Sequence, residues 1–187
     1  MKIYEVRSGH PDAMRYSEPY IPRGNPWRGE CLSTGEYENI HEIPIIYHVD
    51  NKIKPFDYHF TSHGLLFSRK LMEVIQKHCS VRNIFPAYLY YKGQEKIFDE
   101  HYTIIFPTHE ALHYKCSDFE WSESSYKYVA AIYHLVLAKE KLLDIPLSNT
   151  IFHLKEHESI ILVTETTKIA IEAVTKDVVF IEVEVEE

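Results

Sequence analysis

Two stretches decide the fold: Gly64-Leu65-Leu66-Phe67-Ser68, continuing through Arg69 to Lys77, and Ile160-Ile161-Leu162-Val163-Thr164, continuing through Glu165 to Val174. They lie roughly a hundred residues apart and share one order of events. Each is a short apolar run, then a Ser or Thr where a helix begins, then two to three amphipathic turns. A β-rich stretch follows in both, Val81 to Tyr91 and Val178 to Val185. A Ser or Thr side chain at that point accepts a hydrogen bond from the unpaired N–H groups of the first turn, so it marks a helix start for a physical reason. The duplication predicts architecture and carries no reactive group.

Working outward, apolar spacing over Leu66 to Cys79 predicts the first helix, with Leu71, Val74, Ile75 and His78 on one face. Asn83 to Tyr91 and Lys96 to Phe106 read as a hairpin about the turn Lys92 to Glu95, and Pro86 suggests a bulge or an edge. Tyr126 to Leu137 is rich in β-branched and aromatic residues and reads as strand, while Lys139 to Leu143 favours helix. Ile151 to Leu154 and Ile160 to Val163 read as short strands. Glu165 to Val174 reads as the second helix, with Ile169, Ala170, Ala173 and Val174 inward. Val179 to Val185 alternates strictly, Ile181, Val183 and Val185 against Glu182, Glu184 and Glu186. One buried and one solvated face is expected, in antiparallel pairing or at an edge. Near the N-terminus, Ile3 to Val6 reads as strand and Ile43 to Val49 as a strand at a sheet edge. The Pro- and Gly-punctuated residues from Ser8 to Gly35 read as an irregular wrap, and Lys52 to His63 as connection. The sum is an α+β fold: a mixed, largely antiparallel sheet with two short helices. An irregular N-terminal region with short strands (1–59) is expected to pack on the main domain (60–187).

Composition narrows the function classes. The chain has 187 residues, 45% of them hydrophobic, enough for a real core. A net charge of −8 argues against binding a phosphate backbone, which needs clustered Lys and Arg, and suits a basic protein partner instead. The fourteen tyrosines fit a half-exposed sheet or a binding surface. Three dispersed cysteines, Cys31, Cys79 and Cys116, form no disulfide framework and suit a reducing compartment. No apolar run approaches the roughly 20 residues of a membrane span, and the N-terminus turns polar too early for a signal peptide. A cytoplasmic protein without membrane or nucleic-acid contact is expected.

Chemistry is sparse. His109-Glu110-Ala111-Leu112-His113 spells H-E-x-x-H, which on a helix would set two zinc-ligating imidazoles beside a general-base glutamate. Its setting argues otherwise: Cys116-Ser117-Asp118 would end such a helix within about two turns, and its apolar stripe is thin. The pairs His59/His63 and His153/His157 share the spacing but fall in loop or strand, where side chains four apart do not converge. No phosphate-cradling glycine loop and no nucleophile elbow is present, and nothing calls for a cofactor. Asp118-Phe119-Glu120-Trp121-Ser122-Glu123 combines acids with an aromatic, the composition of a protein-binding anchor with an acidic rim. Asp118, Glu120, Trp121 and Glu123 are the candidate partner-binding residues.

Gly64 to Leu71 followed by Phe85-Pro86-Ala87 resembles the apolar-Ser-x-x-Leu and Phe-x-Pro stretch of a bacterial polymorphic-toxin immunity protein family with a myxobacterial prototype. Tyr102 to Asp118 is similar to that family's middle segment, and Ile151 to Leu154 with Ile161 to the final strand is similar to its C-terminal segment. The resemblance spans roughly residues 60 to 187. His109-Glu110 replaces a more hydrophobic stretch, and the segment between Trp121 and Pro146 is atypical. The resemblance implies a non-enzymatic cytoplasmic protein that binds and blocks a cognate toxin domain, with no catalytic residues. The acidic charge is compatible with a basic nuclease as that toxin. The alternative is a zinc-dependent hydrolase using His109, Glu110 and His113.

Overall fold

Each capped unit builds one sheet. The computed structural model describes residues 1–9, 18–20, 45–49, 56–61, 64–81, 83–91, 96–122 and 125–187. Strand β1 (Ile3–Ser8) joins the second sheet. The first comprises β2 (Glu18–Tyr20), β3 (Ile45–Val49), β4 (Tyr58–Thr61), β5 (Gly64–Ser68), β6 (Asn83–Tyr91) and β7 (Lys96–Ile105), in the order β2-β3-β6-β7-β5-β4. Helix α1 (Arg69–His78) links β5 to β6. After β8 (Thr108–His109) come β9 (Asp118–Ser122), β10 (Ser125–His134), β11 (Val136–Ala138), helix α2 (Lys139–Leu143), β12 (Ile151–Leu154), β13 (Ile161–Thr164), helix α3 (Glu165–Glu172) and β14 (Val178–Glu186). The second sheet runs β11-β14-β1-β13-β12-β8, and β9 with β10 forms a separate two-stranded ribbon. The fold is α+β. Most pairings are antiparallel; β3–β6, β11–β14 and β8–β12 are parallel.

The duplication extends to register. In the first sheet His101 of β7 lies between Ser68 and Ala87; in the second Ile3 of β1 lies between Thr164 and Val183. Both cap residues are thus nineteen positions before the strand residue that shares their row. A parallel strand flanks each unit, β3 beside β6 and β11 beside β14. The difference is connectivity: β7 follows β6 directly, whereas the equivalent central strand of the second sheet comes from the N-terminus.

Ser68 accepts a hydrogen bond from the Leu71 N–H at 3.3 Å, as an N-cap should. Thr164 occupies the same cap position with extended backbone, but its side chain makes no cap hydrogen bond. Helix α1 buries Leu71, Met72 and Ile75, and its last turn carries Lys77 and His78, which suits the negative end of the helix dipole. His78 is exposed, and Leu66 and Phe67 belong to β5, so the helix is shorter than its periodicity predicts. Helix α3 buries Thr167 and Ile171, whereas Ile169 is 58% exposed. The predicted inner stripe is therefore rotated: ending β13 at Thr164 sets which face meets the sheet.

α1 and α3 pack against each other, and both sheets supply side chains to one core. Leu71, Ile75, Val163 and Ile171 are nearly inaccessible there, and Tyr58, Phe67 and Phe106 stack in tilted and edge contacts at 5.4 and 5.8 Å. Truncating any one aliphatic member to Ala would remove about 2–5 kcal/mol. A clasp reinforces the join. The Asp57 carboxylate accepts the Ser68 hydroxyl at 2.7 Å and the Lys70 ammonium at 2.9 Å, and the Asp57 N–H donates to the Asp177 carboxylate at 2.7 Å. Burial raises the Asp57 pKa, but hydrogen bonds from Ser68, Lys70 and Thr175 outweigh it and hold the carboxyl below its ordinary range.

Other expectations need correction. β14 pairs antiparallel with β1 and exposes Glu182, Glu184 and Glu186 while Val183 and Val185 pack, but it is not an edge, because it lies between β1 and β11. Val178 and Phe180 face the shared core, Val183 and Val185 face a second core on the opposite side, and Ile181 is 40% exposed. β3 is interior too, flanked by β2 and β6. Tyr58–Thr61, read as connection, is β4, and Glu18–Tyr20, inside the predicted irregular wrap, is β2. β4 forms by pairing with β5 and β2 by pairing with β3, contacts that a reading of neighbouring residues does not supply. Pro86 sits in interior strand β6, beside a register shift between Ala87 and Leu89. Helix α2 makes a third helix among the described residues. The boundary drawn near residue 59 falls inside β4, and residues 1–59 contribute strands to both sheets.

Candidate partner-binding surface

Residues 111–122 and 125–142 form a layer over the outer face of the second sheet. Ala111, Leu112, Val129, Leu137 and Leu142 pack on Ile3, Phe152, Leu154, Leu162 and Val183, with Phe119 and Ile132 of the ribbon partly buried against them. The layer's inner thread is the extended run Ala111–His113. Its backbone pairs with β11: Ala138 N–H donates to Ala111 O at 2.8 Å and His113 N–H to Val136 O at 2.9 Å. On the other side the Glu156 carboxylate, with a side chain only 5% exposed, accepts the Leu112 N–H at 3.1 Å and the Ala111 N–H at 3.4 Å. Lys141 reaches the same spot, donating to Leu112 O at 2.9 Å and lying 3.6 Å from Glu156. Ser117 clamps β11 from the far end, its hydroxyl donating to Val136 O and accepting the Val136 N–H.

This geometry disposes of the helical reading of His109-Glu110-x-x-His113. His109 ends β8, paired in parallel with Leu154, and the chain runs on extended to His113. An extended chain covers about 13 Å over four residues, so the imidazoles diverge. The Asn149 side-chain amide lies 2.8 Å from His109 Nε2, and burial lowers the His109 pKa. With the amide nitrogen donating, the His109 proton sits on Nδ1. Cys116 N–H donates to His113 Nδ1, so neutral His113 carries its proton on Nε2, facing Glu187 O at 3.3 Å. Glu110 points outward to Lys155 at 2.7 Å, which lowers its pKa. Among the described residues no three His, Cys, Asp or Glu side chains gather in a metal-holding arrangement.

The ribbon holds three of the four candidate binding residues; Glu123 lies outside the described residues. Strand alternation splits the three. Phe119 and Trp121 share one face of β9, opposite Ile132 and Val129 of β10. Trp121 is 38% exposed and belongs to an aromatic cluster, stacked on Tyr114 at 5.9 Å and edge-on to Phe119 at 5.2 Å. The Lys141 ammonium lies 4.6 Å from the centre of the Tyr114 ring, a cation–π contact. Asp118 and Glu120 occupy the other face. There the Tyr133 hydroxyl donates to Glu120 at 2.8 Å, a bond that raises the Tyr133 pKa, and the Tyr133 ring is 68% exposed. The acids therefore do not rim the Trp side chain: they and Tyr133 form a second, opposed surface.

Sequence reasoning missed Tyr114, Tyr133, Lys141 and Glu156. Alternation along β10 could have placed Tyr133 outward. Nothing local marks Glu156, whose role comes from a contact 44 residues away. Compared with known proteins, the chain matches no family model and no curated protein. No described helix is long and apolar enough to cross a membrane.

Proposed function

We propose that this chain is a non-enzymatic immunity protein that binds and neutralises a cognate bacterial toxin domain in the cytoplasm. The observation that carries the reading is the Tyr114–Phe119–Trp121 cluster: three large aromatics in mutual contact, two of them more than a third exposed, Phe119 and Trp121 on the ribbon and Tyr114 on the turn that leads into it. Preorganised aromatics bind at low entropic cost and dominate protein interfaces. The acidic chain, with Asp118 and Glu120 on the ribbon's other face, favours a basic partner such as a nuclease through electrostatic steering. The resemblance over residues 60–187 points to the same class.

The experiment is co-expression with the toxin domain encoded beside the gene, followed by binding kinetics. The wild-type chain should rescue growth. Trp121→Ala, checked for folding, should raise the Kd at least tenfold, about 1.4 kcal/mol. Glu120→Gln should act on association rate and lose its effect in high salt. Absence of rescue and of binding would refute the reading.

A further inference from the structure

We infer that Lys141 is the positioning residue of the aromatic surface: its ammonium fixes the Tyr114 ring, and through it the stack with Trp121, before a partner arrives. The inference deepens, and rests on, the immunity reading. The geometry is a relay from the interior to the surface. Glu156, its side chain only 5% exposed, accepts the Leu112 and Ala111 N–H groups. Lys141, with a side chain 27% exposed, lies 3.6 Å from that carboxylate and donates to Leu112 O at 2.9 Å. Two acceptors on the buried thread thus hold the ammonium at one point. From there it lies over the Tyr114 ring, 4.6 Å from the centroid. Tyr114 in turn stacks on Trp121 at 5.9 Å and meets Phe119 edge-on at 5.7 Å.

Tyr114 is the member of the cluster that needs such a fixture. Phe119 and Trp121 take their direction from strand pairing with β10, whereas Tyr114 sits in the turn ahead of β9 and is 45% exposed. Its direction therefore comes from side-chain contacts. A half-exposed tyrosine that samples several rotamers loses that freedom on binding, which weakens affinity. A cation over the ring face is attracted by the ring quadrupole and restrains it. The attraction grows where water is excluded, as it is beneath a bound partner, so the contact contributes more in the complex than in the free chain. Arginine reproduces the charge over the ring. Glutamine keeps a donor for the Leu112 carbonyl but carries no charge.

The test compares Lys141→Gln with Lys141→Arg in the full-length chain, each checked for folding by its urea midpoint. In the free chain, near-UV circular dichroism should weaken and the Tyr114 ring-proton shifts should move toward averaged values in Lys141→Gln, and both should return in Lys141→Arg. Against the toxin domain encoded beside the gene, Lys141→Gln should raise the Kd about threefold or more, chiefly through faster dissociation. Lys141→Arg should restore it to within about twofold. In a Tyr114→Leu background, Lys141→Gln should add less than about 1.5-fold, because the ring it acts through is gone. An unchanged Tyr114 signal in folded Lys141→Gln, equal losses for the Gln and Arg variants, or a full Lys141→Gln effect without the Tyr114 ring would overturn the assignment. The two readings fail separately: a wild-type chain that binds no toxin domain removes immunity, while the free-chain spectra still decide whether Lys141 fixes Tyr114.

Discussion

Replacing Glu156 by Ala should damage the layer that carries the ribbon more than any surface change nearby. Its carboxylate is buried and accepts two consecutive N–H groups, Leu112 at 3.1 Å and Ala111 at 3.4 Å. The residues carrying those donors are fully buried, so in the Ala variant the N–H groups have no protein acceptor. A hydrogen bond to a charged acceptor contributes about 1.5–3 kcal/mol, and the 3.4 Å contact deserves the low end or less. The loss of both should come to about 3–4 kcal/mol. Lys141 adds little, because it keeps the Leu112 carbonyl and the Tyr114 ring. Glu156→Gln retains one acceptor oxygen but turns an NH2 toward the second donor, so about 2 kcal/mol is expected. Urea unfolding followed by far-UV circular dichroism reads the shift in midpoint at constant slope, and near-UV signal reports whether the Tyr114–Trp121 stack survives. A loss below about 1 kcal/mol for Glu156→Ala would refute the reasoning, showing that water replaces the carboxylate. Equal losses for Ala and Gln would show that charge, not hydrogen bonding, governs the site.

Three further outcomes follow from the same geometry. Ser68→Ala should cost about 1–2 kcal/mol, losing the Leu71 cap and the Asp57 bond, whereas Thr164→Ala should cost only a few tenths, since no cap bond exists to lose; urea midpoints check the contrast. Asp57 has a folded pKa below its unfolded value of about 3.9, so the unfolded state binds its proton more readily. Its contribution is therefore complete above that value and lost as pH falls through the folded pKa; Asp57→Asn should flatten the acid limb of stability against pH below about 4. His109 should titrate below the ordinary histidine range in a proton NMR titration, and Asn149→Ala, which removes a donor to its Nε2, should raise that pKa.

Local chemistry in the sequence was enough to place the two helix caps and to give the fold class as α+β. Ser68 and Thr164 each end an apolar run and open an amphipathic one, and that pattern is readable because capping depends only on neighbours a few residues away. The strand character of Tyr126 to Leu137 was legible for the same reason, through β-branched and aromatic density. Glu123 and most of the punctuated stretch from Ser8 to Gly35 lie outside the described residues.

Tertiary structure decided the rest, because the decisive partners are far apart in sequence. Ile3 completes a row with Thr164 and Val183, so an unremarkable N-terminal strand becomes the centre of the second sheet. The strict alternation of Val179 to Val185 suggests one wet face, yet both sides of β14 are packed along different halves, since a helix covers one end and the inserted layer the other. His109 and His113 spell a zinc motif but lie on an extended thread held by Glu156 and β11, so their spacing never becomes a shared face. Trp121 and its acidic neighbours read as one patch, and strand geometry turned them to opposite sides. A four-residue pattern means one thing at 3.6 residues per turn and another at two, and only long-range pairing chose between those periods.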